Sequence, residues 1–430
     1  MQDYDIRRFG AVGDGQTVNT AAVQGAIDRC HADGGGTVTV AQGRYVTGTI
    51  YLKSHIHLHL DPGAALLGST RIADYATATH RQMYKNEACM DRCLIFARDA
   101  EGIGIAGAGT IDGQGDRTSF PNADDPQRNR PMLIRFVNCS NIRLRDVTLA
   151  RPASWTSAWL YCSDIAVDGV RIHSRANDNG DGLDFDGCTD VRVSNCAFDT
   201  SDDSICLQTS RVDRPCRDIV ISNCTFCSKW AGIRIGLLSC GDFENVTVSN
   251  CVFRDIDDSG LKIQMCEGAE MRRMVFANLV MASVPRPVFM TFCQQRACAD
   301  APEEVAPLKA LRDMLFSNIL VDSTACGKDS AFIFIGSPGH PIENITLRNL
   351  TMTAAGGGTD QDAAAELAEL DLEAMGDHWP EYACLGATVP AHGIYARHVR
   401  GLSLEQVTFC TATPDRRPAV VLVDVAAVGN

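Results

Sequence analysis

The 25 residues from Asp184 to Gln208, DFDGCTDVRVSNCAFDTSDDSICLQ, contain six aspartates, and two of them, Asp202 and Asp203, are adjacent. Just upstream, NGDGLD adds Asp181, which stands 21 residues before Asp202, and ends on Asp184. Carboxylates held close together raise the pKa of at least one of them, so one group can stay protonated while its neighbours are ionised. Such a set can protonate the leaving oxygen of a glycosidic bond and activate the attacking water. The same residues suit Ca²⁺, which takes several oxygen ligands. The plainer alternative is that they are turn residues at chain corners, where Asp is favoured. Spacing alone leaves all three open.

Whatever the chemistry, a repeated scaffold must carry it. The phrases CSNIRLRDV at Cys139, CSDIAVDGV at Cys162, CTDVRVSNC at Cys188, CRDIVISNC at Cys216 and FENVTVSNC at Phe243 share one pattern. Looser copies begin at Met271, Leu311, Ile342 and Val399, and the first seven starts step by 23, 26, 28, 27, 28 and 40 residues. Each copy alternates apolar and polar residues and then breaks at Asn, Asp or Gly, the pattern of a short strand and a turn. One unit cannot bury its own apolar face, whereas stacked units share a continuous core. A period of this length therefore predicts an all-β fold, a single right-handed parallel β-helix solenoid of about ten coils. It spans 1–430 as one domain. Thr20–Gly35 has helical spacing and is expected to cap the N-terminal end. Residues 355–392 are expected as a helical or loop insertion between late coils, with the acidic, helix-prone block Ala363–Cys384 inside it.

Four consecutive segments, DGLDFDG, DSICLQT, AGIRIGL and SGLKIQM, align strand on strand. Leu183, Ile205, Ile233 and Leu261 then face inward, as do Phe185, Leu207, Ile235 and Ile263. The outward columns read Asp184, Cys206, Arg234, Lys262 and Asp186, Gln208, Gly236, Gln264. This stacking gathers Asp181, Asp202 and Asp203, with Arg234 and Lys262 as flanking cations. A structural salt bridge from Arg234 to Asp184 or Asp186 is an equal alternative for that arginine. His173 is the one histidine close to the acidic motif in sequence and reads as a strand residue.

A formal charge of −14 argues against nucleic acid or an anionic membrane as partner. No run of 18 apolar residues exists to span a membrane. The 19 cysteines recur at an inward register position, so they read as core thiols rather than disulfides, and no CxxC pair suggests zinc. With no signal peptide visible in this chain, a cytoplasmic location is the expectation, with export after processing left open.

At this point the residues resemble glycoside hydrolase family 28, the polygalacturonase-like enzymes. FGAVGDG, YLKSHIHLHLDPGAALLGS, SNIRLRDVTL, NGDGLD and SDDSI are similar to that family, and HWPEYACLGATVPAHGIYARHV resembles its bacterial branch. The resemblance covers nearly the whole chain and implies an inverting hydrolase of a pectin-type or related uronic-acid- or rhamnose-containing glycan. It implies Asp202 as general acid, Asp181 and Asp203 as the groups that position and deprotonate water, and Asp184 as support. No cofactor and no metal are expected, and the partner is an oligo- or polysaccharide.

Two departures bear on specificity. KWAGIRIG puts Trp230 where the family usually has a histidine, and an indole there can cover a sugar ring or pack on a loop. GLKIQ puts Lys262 and Gln264 where the family has an Arg and a Lys that hold a substrate carboxylate. Lysine lacks the bidentate fork of arginine, so carboxylate recognition should be weakened or redirected, with Arg234 a candidate replacement. A less acidic substrate than polygalacturonate, or an exo-acting enzyme on short fragments, follows as an expectation. Two alternatives are a uronate lyase or epimerase on the same fold, for which Arg234 and Lys262 would serve proton abstraction, and a non-catalytic carbohydrate-binding β-helix.

Overall fold

The repeat turns its corners on Asn and Asp. In the copies beginning CSN, CSD and CTD the third residue, Asn141, Asp164 or Asp190, has φ of 51°, 50° and 56°. The Asn of each SNC phrase, Asn195, Asn223 and Asn250, has φ of 57°, 56° and 56°. Asn and Asp enter this left-handed region more readily than other residues bearing a Cβ, because their short side chains bond locally to the backbone. Between corners lie strands of two to seven residues that pair in parallel in the first half of the chain.

The computed structural model describes residues 4–77, 79, 84, 91–121, 129–292, 297–298, 307–370 and 379–427. The chain forms two compact units, Met1–Ile205 and Cys206–Asn430. In the first, each coil contributes one strand to each of three ladders. One ladder stacks Ile56–Leu60, Glu101–Gly107, Ser140–Arg145, Ser163–Asp168 and Thr189–Ser194. A second runs from Gly43–Thr47 to Ala197–Thr200, and a third stacks Cys93–Arg98, Met132–Val137, Ser157–Leu160 and Leu183–Asp186. Register partners carry like residues into the core: Ile142, Ile165 and Val191 form one buried column, and Leu144, Val167 and Val193 another. Phe136, Trp159 and Phe185 stack as a third, with ring centroids 5.1 and 5.7 Å apart. The helix Thr20–Ala32 buries Val23, Ala26, Ile27 and Cys30 and packs on the first strands of this unit.

In the second unit two of the three faces merge into long strands, Phe243–Ile256, Glu270–Ala282, Ala310–Ser323 and Ile342–Ala354. The remaining face stacks Ala231–Ser239, Ser259–Met265, Arg286–Phe292 and Phe332–Ile335, and every residue of these four strands is buried. One corner of the unit is a ladder of side-chain amides. Asn278 donates to Asn250, Asn318 to Asn278 and Asn349 to Asn318, at 3.0, 2.9 and 2.8 Å. Seventeen cysteines are described, all as thiols and fourteen of them buried, matching their inward register.

Between Ile342–Ala354 and Ile394–Thr411 the described residues include the short helix Asp360–Ala363 and the 3-10 turn Tyr382–Leu385; residues 371–378 lie outside the described residues. The helix expected from Ala363 onward is not formed over 364–370. Instead the carbonyls of Leu367 and Ala368 accept hydrogen bonds from the buried guanidinium of Arg397, at 2.8 and 2.7 Å. Serving a buried charge outweighs the helix propensity of an alanine- and glutamate-rich stretch, since an unpaired buried cation costs several kcal/mol by order of magnitude and propensity only tenths per residue.

Candidate active site

The acidic cluster belongs to the first unit. Asp181 sits between two glycines at the entry to Leu183–Asp186, and both glycines are there because backbone passes too close for a side chain. A Cβ on Gly180 would lie 2.0 Å from the Ser174 carbonyl oxygen, and one on Gly182 2.2 Å from that of Ser204. Close approach lets the Gly182 N–H donate to the Asp203 carbonyl at 2.9 Å and the Leu183 N–H to that of Ser204 at 3.0 Å. The loop is braced from below as well. Ser201 accepts from the Gly180 N–H (3.0 Å) and donates to the Asn177 carbonyl (2.6 Å), and the buried Asn177 amide donates to Gly115 and Phe120. Arg130, also buried, holds the Asp178 carbonyl and the Asn179 side chain at 2.7 Å each.

This bracing brings together the three aspartates singled out in the sequence. One carboxylate oxygen each from Asp181, Asp202 and Asp203 lies within 4.8 Å of the other two. Asp181 and Asp203 are buried, at 5% and 1% exposure, while Asp202 is half-buried. The Asp203 N–H donates to the Asp202 carboxylate at 2.9 Å, fixing the more accessible side chain on its own turn. Three oxygens so disposed could hold a cation or pass protons to and from a bound molecule.

Asp184 and Asp186 lie deeper, each 1% exposed. Arg135 is a charge near both of them. Arg135, Ala158 and Asp184 are successive register partners, and the small Ala158 leaves the column open for the long guanidinium. Burial lowers the Arg135 pKa to about 10, against the pull of Cys93, Asp184 and Asp186.

The flanking cations belong to the second unit and keep the predicted register, Arg234 opposite Lys262 and Gly236 opposite Gln264. They are fully buried and already paired. Lys262, at 0% exposure, contacts Asp258 at 2.9 Å and also pairs with Glu381. The other oxygen of Glu381 accepts from Arg234 Nη2 at 2.9 Å. Gln264 accepts from the same guanidinium through Nε and Nη2, at 3.1 and 2.8 Å, and donates to the Pro380 carbonyl at 2.8 Å. Asp258 in turn holds Arg286 at 2.8 Å. Burial pushes Asp258 up, but Lys262 and Arg286 outweigh it and take it down to about 2. Stripping one partner from a buried ion pair costs ~3–5 kcal/mol, so Asp258 and Glu381 are what let Lys262 stand inside the sheet. Trp230 is 36% exposed and receives the Lys262 ammonium 4.4 Å from its ring centroid.

Glu381, Asp258, Arg286 and Arg135 were missed from the sequence. Asp258 lies four residues before Lys262 in DDSGLK, and Arg286 is the register partner of Ser259, so both were within reach of the strand alignment. Glu381 sits in the HWPEYAC phrase, outside any repeat, and could not be aligned.

Comparison with known proteins adds to the geometry. Residues 33–369 match the model of the glycosyl hydrolases family 28. A probable polygalacturonase of Vitis vinifera is 26% identical over 367 residues, covering 81% of this chain and 73% of that protein. An exo-poly-alpha-D-galacturonosidase of Dickeya chrysanthemi is 27% identical over 397 residues, 79% of this chain and 65% of that one, so this chain spans about two thirds of its length. Among solved structures, the family 28 exopolygalacturonase of Yersinia enterocolitica superposes with a TM-score of 0.77 at 22% identity, covering 99% of this chain and 78% of that one. A hyperthermoactive exopolygalacturonase from Thermotoga maritima gives 0.74 at 20%, covering 95% and 92%. The fold is the right-handed parallel β-helix.

Proposed function

Because the chain belongs to the glycosyl hydrolases of family 28, we propose that it is an O-glycosyl hydrolase cleaving glycosidic bonds in a pectin-type polygalacturonan, with Asp202 as general acid and Asp181 and Asp203 as the groups that deliver water. The observation that carries the residue roles is the meeting of the three carboxylates within 4.8 Å, with Asp202 the accessible member. An accessible acid can reach the leaving oxygen, while buried carboxylates crowded beside it favour its protonated form. Each carboxyl carbon lies ~1.2 Å behind its oxygens, so this cluster spans at most about 7 Å between carbons. That bound reaches the ~6.5–9.5 Å of an inverting hydrolase only at its upper limit and also takes in the ~5–5.5 Å of a retaining one, so the anomeric configuration of the product decides between them.

Trp230, half open and carrying a cation on its ring, offers an indole to a sugar. Arg234, Lys262 and Gln264 lie buried behind it, paired with Glu381, Asp258 and the Pro380 carbonyl. Residues 1–430 act as one β-helical domain on this reading, with 355–392 inserted to shape substrate selection. Seventeen described thiols suit a reducing compartment, which supports a cytoplasmic enzyme acting on oligosaccharides.

Product analysis on pectic polymers and oligosaccharides tests the proposal, with Asp202→Asn beside the wild type and both in calcium and in chelator. Sugar release with inverted anomeric configuration, insensitive to chelator and lost in the variant, is expected. Turnover that survives Asp202→Asn would remove that residue as the acid, and calcium binding without turnover would make the cluster a cation site.

A further inference from the structure

Arg234 and Lys262 stand opposite each other on adjacent strands, a seat into which a carboxylate would fit. The seat is filled from within the chain. One oxygen of Glu381 takes Arg234 and the other takes Lys262. The loop that brings Glu381 is fastened at three consecutive residues. Gln264 donates to the Pro380 carbonyl, the two cations hold Glu381, and Arg286 lies over the Tyr382 ring at 4.4 Å, while the Tyr382 hydroxyl donates to Asp329 at 3.2 Å. Gln264 is itself committed on both ends, to Arg234 and to Pro380. In this cluster three cations, Arg234, Lys262 and Arg286, meet two carboxylates, Asp258 and Glu381. Each carboxylate bridges two of the cations.

We infer that Glu381 is a specificity-determining residue, a resident carboxylate that removes Arg234 and Lys262 from substrate recognition, so that the sugar bound beside Trp230 and the exposed edge of Glu381 is an uncharged one. A uronate entering there meets a carboxylate already in its place, and like charges brought together discriminate against the wrong ligand. A neutral sugar, whether an esterified uronate or a sugar without a carboxyl group, meets no such repulsion and finds hydroxyl partners in the Glu381 oxygens. The inference rests on the hydrolase reading only in taking a pectin-type sugar as the ligand.

Titration calorimetry of wild type and Glu381→Gln with galacturonate, its methyl ester and galactose tests the idea without requiring turnover. Wild type should bind galacturonate no tighter than the two neutral sugars, and Glu381→Gln should gain about tenfold or more for galacturonate alone. A gain confined to the ester or to galactose, or no change in a variant shown folded by thermal unfolding, overturns the inference. Should Gln at 381 unseat the fold, the wild type still decides. A preference for galacturonate that Lys262→Met abolishes would mean the seat is open to substrate. Hydrolysis is scored separately on the same preparations, so loss of turnover on every glycan sinks the hydrolase reading and leaves the binding comparison standing.

Discussion

The backbone N–H of Gly182 donates to the carbonyl of Asp203 at 2.9 Å, the central one of three bonds, with Gly180 to Ser201 and Leu183 to Ser204, that join the two acidic motifs. Gly182 can approach because it has no side chain. A methyl at that position would lie 2.2 Å from the Ser204 carbonyl oxygen and 3.0 Å from the Phe198 ring. Gly182→Ala must therefore push the strand entry away from the turn at Asp202. A loss of roughly 1–3 kcal/mol, the usual cost of forcing extra volume into a packed site, is expected in urea unfolding. Activity should fall further than stability does, because Asp181 moves with the strand. A variant as stable and active as wild type would show that the contact is elastic.

Asp202→Asn keeps shape and removes the proton. The expected outcome is a fall of about 10²–10⁴-fold in kcat with KM changed little, the range for losing a positioned general acid. Asp181→Asn should act similarly, and the double variant should lose far less than the product of the two, since the groups act as one unit. Steady-state kinetics on one oligosaccharide gives all three numbers.

Asn177 makes two buried hydrogen bonds, to the carbonyls of Gly115 and Phe120, and touches none of the three aspartates in doing so. Asn177→Ala leaves both carbonyls without that donor, at about 1–3 kcal/mol. Denaturant unfolding should register this loss, with kcat reduced through a displaced loop and partly restored by Asn177→Gln only if the longer amide still reaches. Unchanged stability in the alanine variant would mean the loop is held by Ser201 and Arg130 alone.

Asp258 ties stability to pH. Lys262 and Arg286 hold its carboxyl at about 2 in the folded protein, well below the ordinary range of an aspartate. A folded pKa below the unfolded one contributes stability that is complete above about pH 4 and is lost as pH falls toward 2. The contribution is on the order of 2 kcal/mol. Unfolding midpoints of wild type and Asp258→Asn should differ most at pH 6 and draw together only as pH falls through about 2. A constant difference across that window would place the titration elsewhere.

Much of this was legible because a coil repeats its register. Once SNC phrases were aligned, the pairings Arg234 with Lys262 and Gly236 with Gln264 followed, and so did the convergence of Asp181 with Asp202 and Asp203. Arg135 belongs to the same column as Asp184 but stands two strands earlier, in MLIRFV, outside the four consecutive segments whose shared pattern reveals the register. Glu381 escaped for a different reason. It reaches Lys262 across 119 residues from a loop that obeys no period, so nothing local announces the pairing. Over 364–370 the insertion is loop, and the Leu367 and Ala368 carbonyls serve Arg397, a partner likewise remote in sequence. Periodic positions are decided by their neighbours along the stack; a loop's partners are decided by where it lands.

The amide ladder from Asn250 to Asn349 has a consequence for how such a chain can change length. Every link gives one hydrogen and receives one, always toward the earlier coil. Removing one whole turn, cut at equivalent asparagines, would leave the flanking links able to close on each other, whereas a cut of half a turn would strand a donor and an acceptor on opposite faces. Gain and loss of material in this half of the molecule is thereby quantised. Loops can grow by any number of residues, but the wall they stand on can lengthen only by complete circuits.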